Sequence, residues 1–193
     1  MKISLNEYDP RLSVLIEYGF MESQFGEIMI AKTCQGICVM EFSDDRKESA
    51  DRLRAEWTGT EIRYSESFSG HDLAEYVLPE QNTAHKVTEL CLRGTRFQRE
   101  VWEALLKIPF GHTVSYSDVA AMCGHATAIR AAASAVASNR ISIIIPCHRV
   151  IRQNGDIGNY RWGQARKQAV ITWEKDIVKN GMRQDINSRL TSD

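Results

Sequence analysis

One interruption narrows what this chain can fold into more than anything else in it. The apolar run Ile143, Ile144, Ile145 stops at Pro146 and is followed at once by Cys147, His148, Arg149 and Val150. Three consecutive isoleucines predict a short buried strand, and proline cannot donate to a sheet ladder, so the backbone must leave the sheet at Cys147. The thiol is then set at the edge of a pocket. A helical turn starting here would aim unpaired backbone N–H groups at the sulfur and favour thiolate over thiol. The competing reading is an inert core cysteine, since free cysteine packs as a small hydrophobe. Packing alone, however, does not call for a strand breaker before the cysteine and two basic groups after it.

A chain of 193 residues with 43% hydrophobic content can bury one good core or two small ones without disulfides. Its net charge of -1 conceals an asymmetry: residues 1–90 carry 9 Lys and Arg against 17 Asp and Glu, a net of −8, whereas residues 91–193 carry 15 against 8, a net of +7. A basic half can dock on a phosphate backbone and an acidic half does not share that surface, although solvated faces alone also produce such a split. Cys34, Cys38, Cys91, Cys123 and Cys147 are odd in number and scattered, which argues against a disulfide framework and for a reducing compartment. Cys34 and Cys38 lack a second pair or a downstream histidine at finger spacing, so no metal site is expected. The first ten residues have no apolar h-region and no run approaches a membrane span, which predicts a cytoplasmic protein that neither crosses nor binds a membrane.

Residues 12–20 and 25–42 are patterned as strands around a turn at Gln35 and Gly36, an antiparallel hairpin or meander. Asp44 or Asp45 can cap a charged helix reaching Trp57, with Ala50, Leu53 and Trp57 on its buried stripe. Turn, short strand and loop follow over 58–70, a connector over 78–86, and a further strand over 87–92. Thr95 and Gln98 have capping-box spacing, with Phe97, Val101, Leu105 and Ile108 at helical intervals until Pro109 and Gly111 end the helix. Ser117 is placed to cap a short helix ending at Cys123 and Gly124. A second helix, about 127–138, is nearly bare: its alanines surround Arg130, the one long charged side chain. Two helices about a glycine turn suggest a helix-turn-helix, and small side chains let the outer face approach a nucleic-acid groove, while the inner face packs on the protein. A last amphipathic helix spans about 163–178.

The octet at 143–150 resembles the active-site motif of the O6-alkylguanine-DNA alkyltransferases. The resemblance extends over nearly all of 91–177, through Phe97, Gln98, Val101, Trp102; Ile108, Pro109, Gly111, Val114, Ser115, Tyr116; Ala128, Arg130, Ala131; Asn139; and Gly158, Tyr160, Gly163. It implies an α/β (α+β) fold with a ribonuclease H-like amino-terminal sheet domain at 1–92, a mainly helical catalytic and DNA-binding domain with a helix-turn-helix at 93–178, and a flexible tail at 179–193. The amino-terminal likeness is looser, resting on Phe25, Gly26, Gly36, Ile37 and the strand after them.

By that resemblance Cys147 is the nucleophile that accepts the alkyl group, His148 its base through a bridging water, and Glu174 the orienter of His148. Asn139 braces the active-site turn, and Tyr116 donates a proton and helps turn the nucleotide out. Arg130 fills the gap left by the flipped base, with Tyr116, Ser117, His125, Ala128 and Gln98 on the DNA side, and Val150 and Tyr160 lining the pocket. Flipping suits the chemistry, because O6 of a stacked guanine is out of reach of any side chain on a flat surface. The implied activity is a single-turnover transfer of methyl or a larger alkyl group from O6-alkylguanine, and from O4-alkylthymine, in double-stranded DNA, by a monomer needing no cofactor and no metal. Ordinary roles compete at two positions: Arg130 as a phosphate contact or ion pair, Glu174 as a solvated helix carboxylate.

The chain departs from the family pattern at Gly124, His125, Ala126 and Thr127, where a proline and lysine often precede the arginine, and at Ser142, where some members place a proline. No four-cysteine zinc module is present in the amino-terminal half, so methylphosphotriester repair and transcriptional control are not expected. Two other classes compete. A cysteine hydrolase would leave the alanine-rich helix unexplained. A non-catalytic binder of alkylated DNA would lack the acceptor that Cys147 supplies.

Overall fold

The computed structural model describes residues 2–12, 15–69, 76 and 87–190. The connector expected over 78–86 lies outside them. The chain falls into two compact units, Met1–Arg99 with Asn139–Ile145, and Glu100–Ser138 with Pro146–Asp193.

In the first unit, strands β1 (Lys2–Glu7), β2 (Leu15–Met21), β3 (Ile28–Thr33), β4 (Gly36–Phe42), β5 (Glu61–Tyr64) and β6 (Val87–Leu92) make one six-stranded sheet ordered β1-β6-β4-β3-β2-β5. The expected meander is β2-β3-β4, antiparallel throughout, with a bulge between Ala31 and Lys32. Gly36 begins β4 at φ +124, and a Cβ there would collide with the backbone of Glu89, so the turn needs glycine on two counts. Strand pairs β1·β6, β4·β6 and β2·β5 are parallel, which requires the chain to cross over rather than turn back.

Helix α1 (Arg46–Glu56) starts where expected, with the Asp45 carboxylate accepting from the Glu48 N–H at 2.9 Å. Ala50, Leu53 and Trp57 pack with Ile16, Tyr18, Phe20, Met29, Ala31, Cys38, Val39 and Cys91. Helix α2 (Arg96–Leu105) opens on the Thr95–Gln98 box: the Thr95 N–H donates to Gln98 Oε1 at 2.9 Å, and the Gln98 N–H donates to Thr95 Oγ1 at 3.2 Å.

The isoleucine run is not a strand. Ile141 alone bridges to Met40, and the Ser142 N–H donates to the Met40 carbonyl at 2.6 Å. The chain then coils: Ile144 N–H reaches the Ser142 carbonyl at 2.7 Å across Ile143, which has φ 66. This is a γ-turn in its rare left-handed form, carried by a β-branched residue and costing on the order of 1–3 kcal/mol. All three isoleucines are nonetheless buried. An apolar run signals burial, and burial is common to strands and to turns inside a protein, so periodicity could not separate them.

In the second unit, two-residue strands β7 (Val114–Ser115) and β8 (Val150–Ile151) pair in parallel, with Val114 opposite Val150. Helix α3 (Tyr116–Met122) is capped by Ser115 and not by Ser117: the Ser115 hydroxyl accepts from the Asp118 N–H at 3.1 Å, and the Asp118 carboxylate accepts from the Ser115 N–H at 2.8 Å. The reciprocal Ser115–Asp118 box outcompetes a lone serine two residues later. Gly124 at φ +81 breaks the chain before α4 (Ile129–Ala137), which begins from Ala128 without a side-chain cap. Trp102 of α2 ties down α4 by donating from Nε1 to the Ala135 carbonyl at 2.8 Å. Helix α5 runs Gln164–Leu190, well past the expected end near residue 178, since no proline or glycine stop signal follows until Gly181, which the helix absorbs. No described helix is long and apolar enough to cross a membrane.

Candidate active site

Cys147, His148 and Arg149 form one turn of 3-10 helix directly after Pro146, closed by the Arg149 N–H donating to the Pro146 carbonyl at 2.9 Å. The expected helical turn at the thiol is therefore present. Upstream, Asn139 wraps the preceding segment: its Nδ2 donates to the carbonyls of Ile141 (3.2 Å) and Ile145 (3.0 Å), and its Oδ1 accepts from the Ile141 N–H (2.9 Å). The segment these bonds hold ends two residues before Cys147 in the chain.

Within the second unit the hub is Glu174. His148 Nε2 lies 2.8 Å from its Oε1, Arg149 donates from Nε and Nη2 at 2.9 Å each, and the Gly111 N–H donates to Oε2 at 3.0 Å. Arg149 also donates from Nη1 to the Ile108 carbonyl at 2.6 Å and stacks 5.4 Å from the Phe110 ring centroid. Gly111 has φ +78, and a Cβ there would press to 2.8 Å from the Val178 side chain, so the end of the 109–111 turn can be only glycine if its N–H is to reach the carboxylate.

Glu174 is 1% exposed. Burial by itself would raise its carboxyl, but the hydrogen bonds from His148 and Arg149 outweigh that and hold it down at about 2. His148 is fully buried, and burial pushes its imidazole below the ordinary value despite the pull of Glu174. The pair is thus a carboxylate facing a neutral imidazole. A carboxylate only accepts, so the ring proton sits on Nε2 and the Nδ1 lone pair is left over; Nδ1 is buried with no partner among the described residues.

The parallel β7·β8 ladder brings Tyr116, the first residue of α3, to the chain leaving the 147–149 turn. Burial and then the neighbouring Cys147 raise the Tyr116 phenol. The same two causes raise Tyr160 well above the ordinary value; its buried hydroxyl has no nitrogen or oxygen partner among the described residues, and the Cys147 thiol lies beside it. Val150 is fully buried. Cys147, His148, Glu174, Tyr116 and Tyr160 therefore converge within the second unit.

The remaining candidates lie on the helices. Arg130 is exposed near the start of α4, Ala128 is its N-cap, and Ser117 lies half-buried on α3. His125, exposed in the turn between them, pairs with Glu100 at 3.1 Å. Gln98 is engaged in the start of α2. Two participants were missed. Arg149 stood in the motif without a role, and Lys167 was not considered, although Lys167, Val170, Ile171 and Glu174 recur at helical spacing and that stripe is a legible signal of a buried lysine. Among the described residues no cluster of His, Cys, Asp or Glu could hold a metal ion.

Comparison with known proteins gives a consistent picture. Residues 96–176 match the family model of the 6-O-methylguanine DNA methyltransferase DNA binding domain. The chain is 33% identical over 165 residues to the bifunctional transcriptional activator/DNA repair enzyme Ada of Escherichia coli, covering 85% of this chain and 47% of that protein. It is 34% identical over 168 residues to the methylated-DNA--protein-cysteine methyltransferase of Mycolicibacterium paratuberculosis, covering 83% and 93%. Among solved structures it resembles Mycobacterium tuberculosis OGT in complex with DNA, with a TM-score of 0.65, 31% identity, and 83% and 93% of the two chains covered. The chain spans about half the length of the first curated relatives it matches.

Proposed function

The chain belongs to the methylated-DNA--protein-cysteine methyltransferase family, and from that premise we propose that it reverses alkylation damage directly, moving the alkyl group of O6-alkylguanine in duplex DNA onto Cys147. The observation that carries this reading is a buried cysteine beside a neutral, carboxylate-held histidine, with two tyrosines of raised phenol facing the thiol.

Glu174 fixes the His148 tautomer and leaves the Nδ1 lone pair to accept from a water that relays the Cys147 proton to the imidazole. Cys147 Sγ attacks the O6-alkyl carbon; the S–C bond forms, the C–O bond breaks, and its electron pair stays on the guanine. A proton from Tyr116 to the base lets it depart neutral. The Tyr116 phenol holds its proton firmly, so donation to a developing anion suits it better than service as a base. The product is a thioether, which water does not cleave as it would a thioester, so each molecule acts once.

In this reading α3, the 123–128 turn and α4 are the helix-turn-helix and enter the minor groove, with the exposed Arg130 taking the place of the flipped nucleotide. Ser117, His125, Ala128 and Gln98 belong to its DNA side. The sheet of the first unit is the ribonuclease H-like domain, and O4-alkylthymine is a second substrate of a monomeric, cytoplasmic protein without cofactor.

The test is the intact mass, with peptide mapping, after incubation with excess duplex containing O6-methylguanine. A gain of one methyl, confined to Cys147 and stopping at one per molecule, is expected. Tight binding to the lesion with no mass change would instead assign the protein to damage recognition without transfer.

A further inference from the structure

The transfer scheme makes no use of a buried ion pair at the start of the segment that leads to Cys147. Glu41, in β4, is 1% exposed, and Arg140 Nη2 lies 3.0 Å from its Oε2. Arg140 also donates from Nη1 to Glu56 at 2.6 Å, and Arg52 reaches Glu41 at 3.4 Å. As a stabilising device the pair is poor. Its 3.0 Å approach is not aligned as a hydrogen bond, and Arg140 Nε is buried without a partner among the described residues. Apolar residues of similar volume often stabilise a core at least as well as a buried ion pair, whose best-attested use is to fix a register.

Register is what the pattern of this segment fails to specify. Residues 140–142 lie along β4 through one bridge, Met40 to Ile141: the Met40 N–H donates to the Arg140 carbonyl at 2.8 Å, and the Ser142 N–H donates to the Met40 carbonyl at 2.6 Å. Ile141, Ile143 and Ile145 recur with period two, so a slip by two residues sets Ile143 in the place of Ile141, with the same side chain on the same face. The backbone does not resist that slip, because extended chain at Ile143 relieves its left-handed φ of 66. Two groups do resist it. The Asn139 amide, bonded to Ile141 and Ile145, holds the observed loop from within. The ion pair holds it from the sheet: after a slip Ser142 stands where Arg140 stood, and buried Glu41 loses that partner.

We propose that Glu41 and Arg140 are positioning residues for the transfer, pinning the register of residues 140–142 on β4 and so fixing the length of chain that delivers Cys147. This rests on Cys147 being the alkyl acceptor. From Ile141 the chain runs six residues to Cys147, and a slip by two of them amounts to about 7 Å of extended backbone. A nucleophile misplaced by only about 1 Å already reacts much more slowly. Molecules in the slipped register are therefore inactive, and the transfer rate follows the fraction in the observed one.

Removing both partners at once, in Glu41→Leu/Arg140→Met, separates register from stability, since an apolar pair avoids the loss that a single change brings. Arg52 keeps Glu48 at 2.9 Å and Glu56 is only half-buried, so neither is stranded. The melting temperature should stay within a few degrees of the parent's. Nuclear Overhauser contacts from Met40 to Ile141 should largely give way to contacts with Ile143, and methyl gain at Cys147, followed by mass, should slow about tenfold. Arg140→Lys, which keeps the cation, should retain the single set of contacts and a rate within about threefold of the parent's. Should the double variant not fold, Glu41→Gln supplies the same reading, with the second set of contacts appearing there. A single Met40–Ile141 set in the folded double variant or, failing that, in Glu41→Gln overturns the proposal, as does a second set with an unchanged rate. The contacts are read without DNA, so a parent protein that never gains methyl refutes the acceptor role of Cys147 and leaves the register result standing.

Discussion

Glu174 concentrates more of this site's chemistry than any other residue described. It accepts from His148, Arg149 and the Gly111 backbone at once, so both its charge and its geometry are used up locally. Its carboxyl lies near 2 in the fold and near 4.5 when free, a depressed value, so the stability it contributes is present above about pH 4.5 and is lost as pH falls towards 2. Over that window the contribution is about 3 kcal/mol. Glu174→Gln is accordingly expected to lower stability at neutral pH by roughly that amount and to flatten the acid dependence, as read from urea midpoints at pH 7, 5 and 3. Transfer should slow as well, since an amide no longer fixes the His148 tautomer. At Cys147 the expectation is sharper: Cys147→Ser should bind alkylated duplex as before and show no methyl gain by mass, because a hydroxyl beside the same base is a far weaker nucleophile towards carbon.

Short elements do the positioning. The two-residue ladder of β7 and β8 sets Tyr116 against the cysteine turn, and the 109–111 turn delivers a backbone N–H to Glu174. Gly111→Ala meets both a left-handed φ and the Val178 side chain, so we expect a loss of about 1–3 kcal/mol in denaturant titration together with slower transfer. Helix α4 presents the opposite case, an exposed arginine among alanines. If Arg130 stands in for the flipped base, Arg130→Ala should slow repair of duplex about tenfold or more while leaving the melting temperature within a degree or two; unimpaired duplex repair would remove that role. Capping boxes at Thr95–Gln98 and Ser115–Asp118 show which element features sequence reveals: bonds between residues three apart are local and need no knowledge of the fold. Ser117, expected as the cap, lies inside the helix, because only the ladder that ends at Ser115 decides where extended chain stops.

At the scale of the molecule the chain leaves the first unit inside α2, returns to it for Asn139–Ile145, and leaves again immediately before Pro146 and Cys147. The returning segment is anchored within that unit by Arg140, which pairs with the buried Glu41 at 3.0 Å and with Glu56 at 2.6 Å. Arg140→Met should cost about 3 kcal/mol in denaturant titration, because it removes one partner of an ion pair at 1% exposure and leaves Glu41, among the described residues, with Arg52 at 3.4 Å. A double change of Glu41 and Arg140 to apolar residues should cost less than the single one. The sequence by itself determined the strands of the meander, the capped starts of α1 and α2, the octet at 143–150 and, through its resemblance, the family. These depend on residue type at short spacing, which is what a sequence displays. Only the tertiary structure decided that the isoleucine run coils into a left-handed γ-turn, that Arg149 and Gly111 share Glu174 with His148, and that Lys167 lies buried between two carbonyls. Each of these joins groups distant in the chain or overrides a local preference, and its energy comes from partners that exist only once the rest of the chain has packed around it.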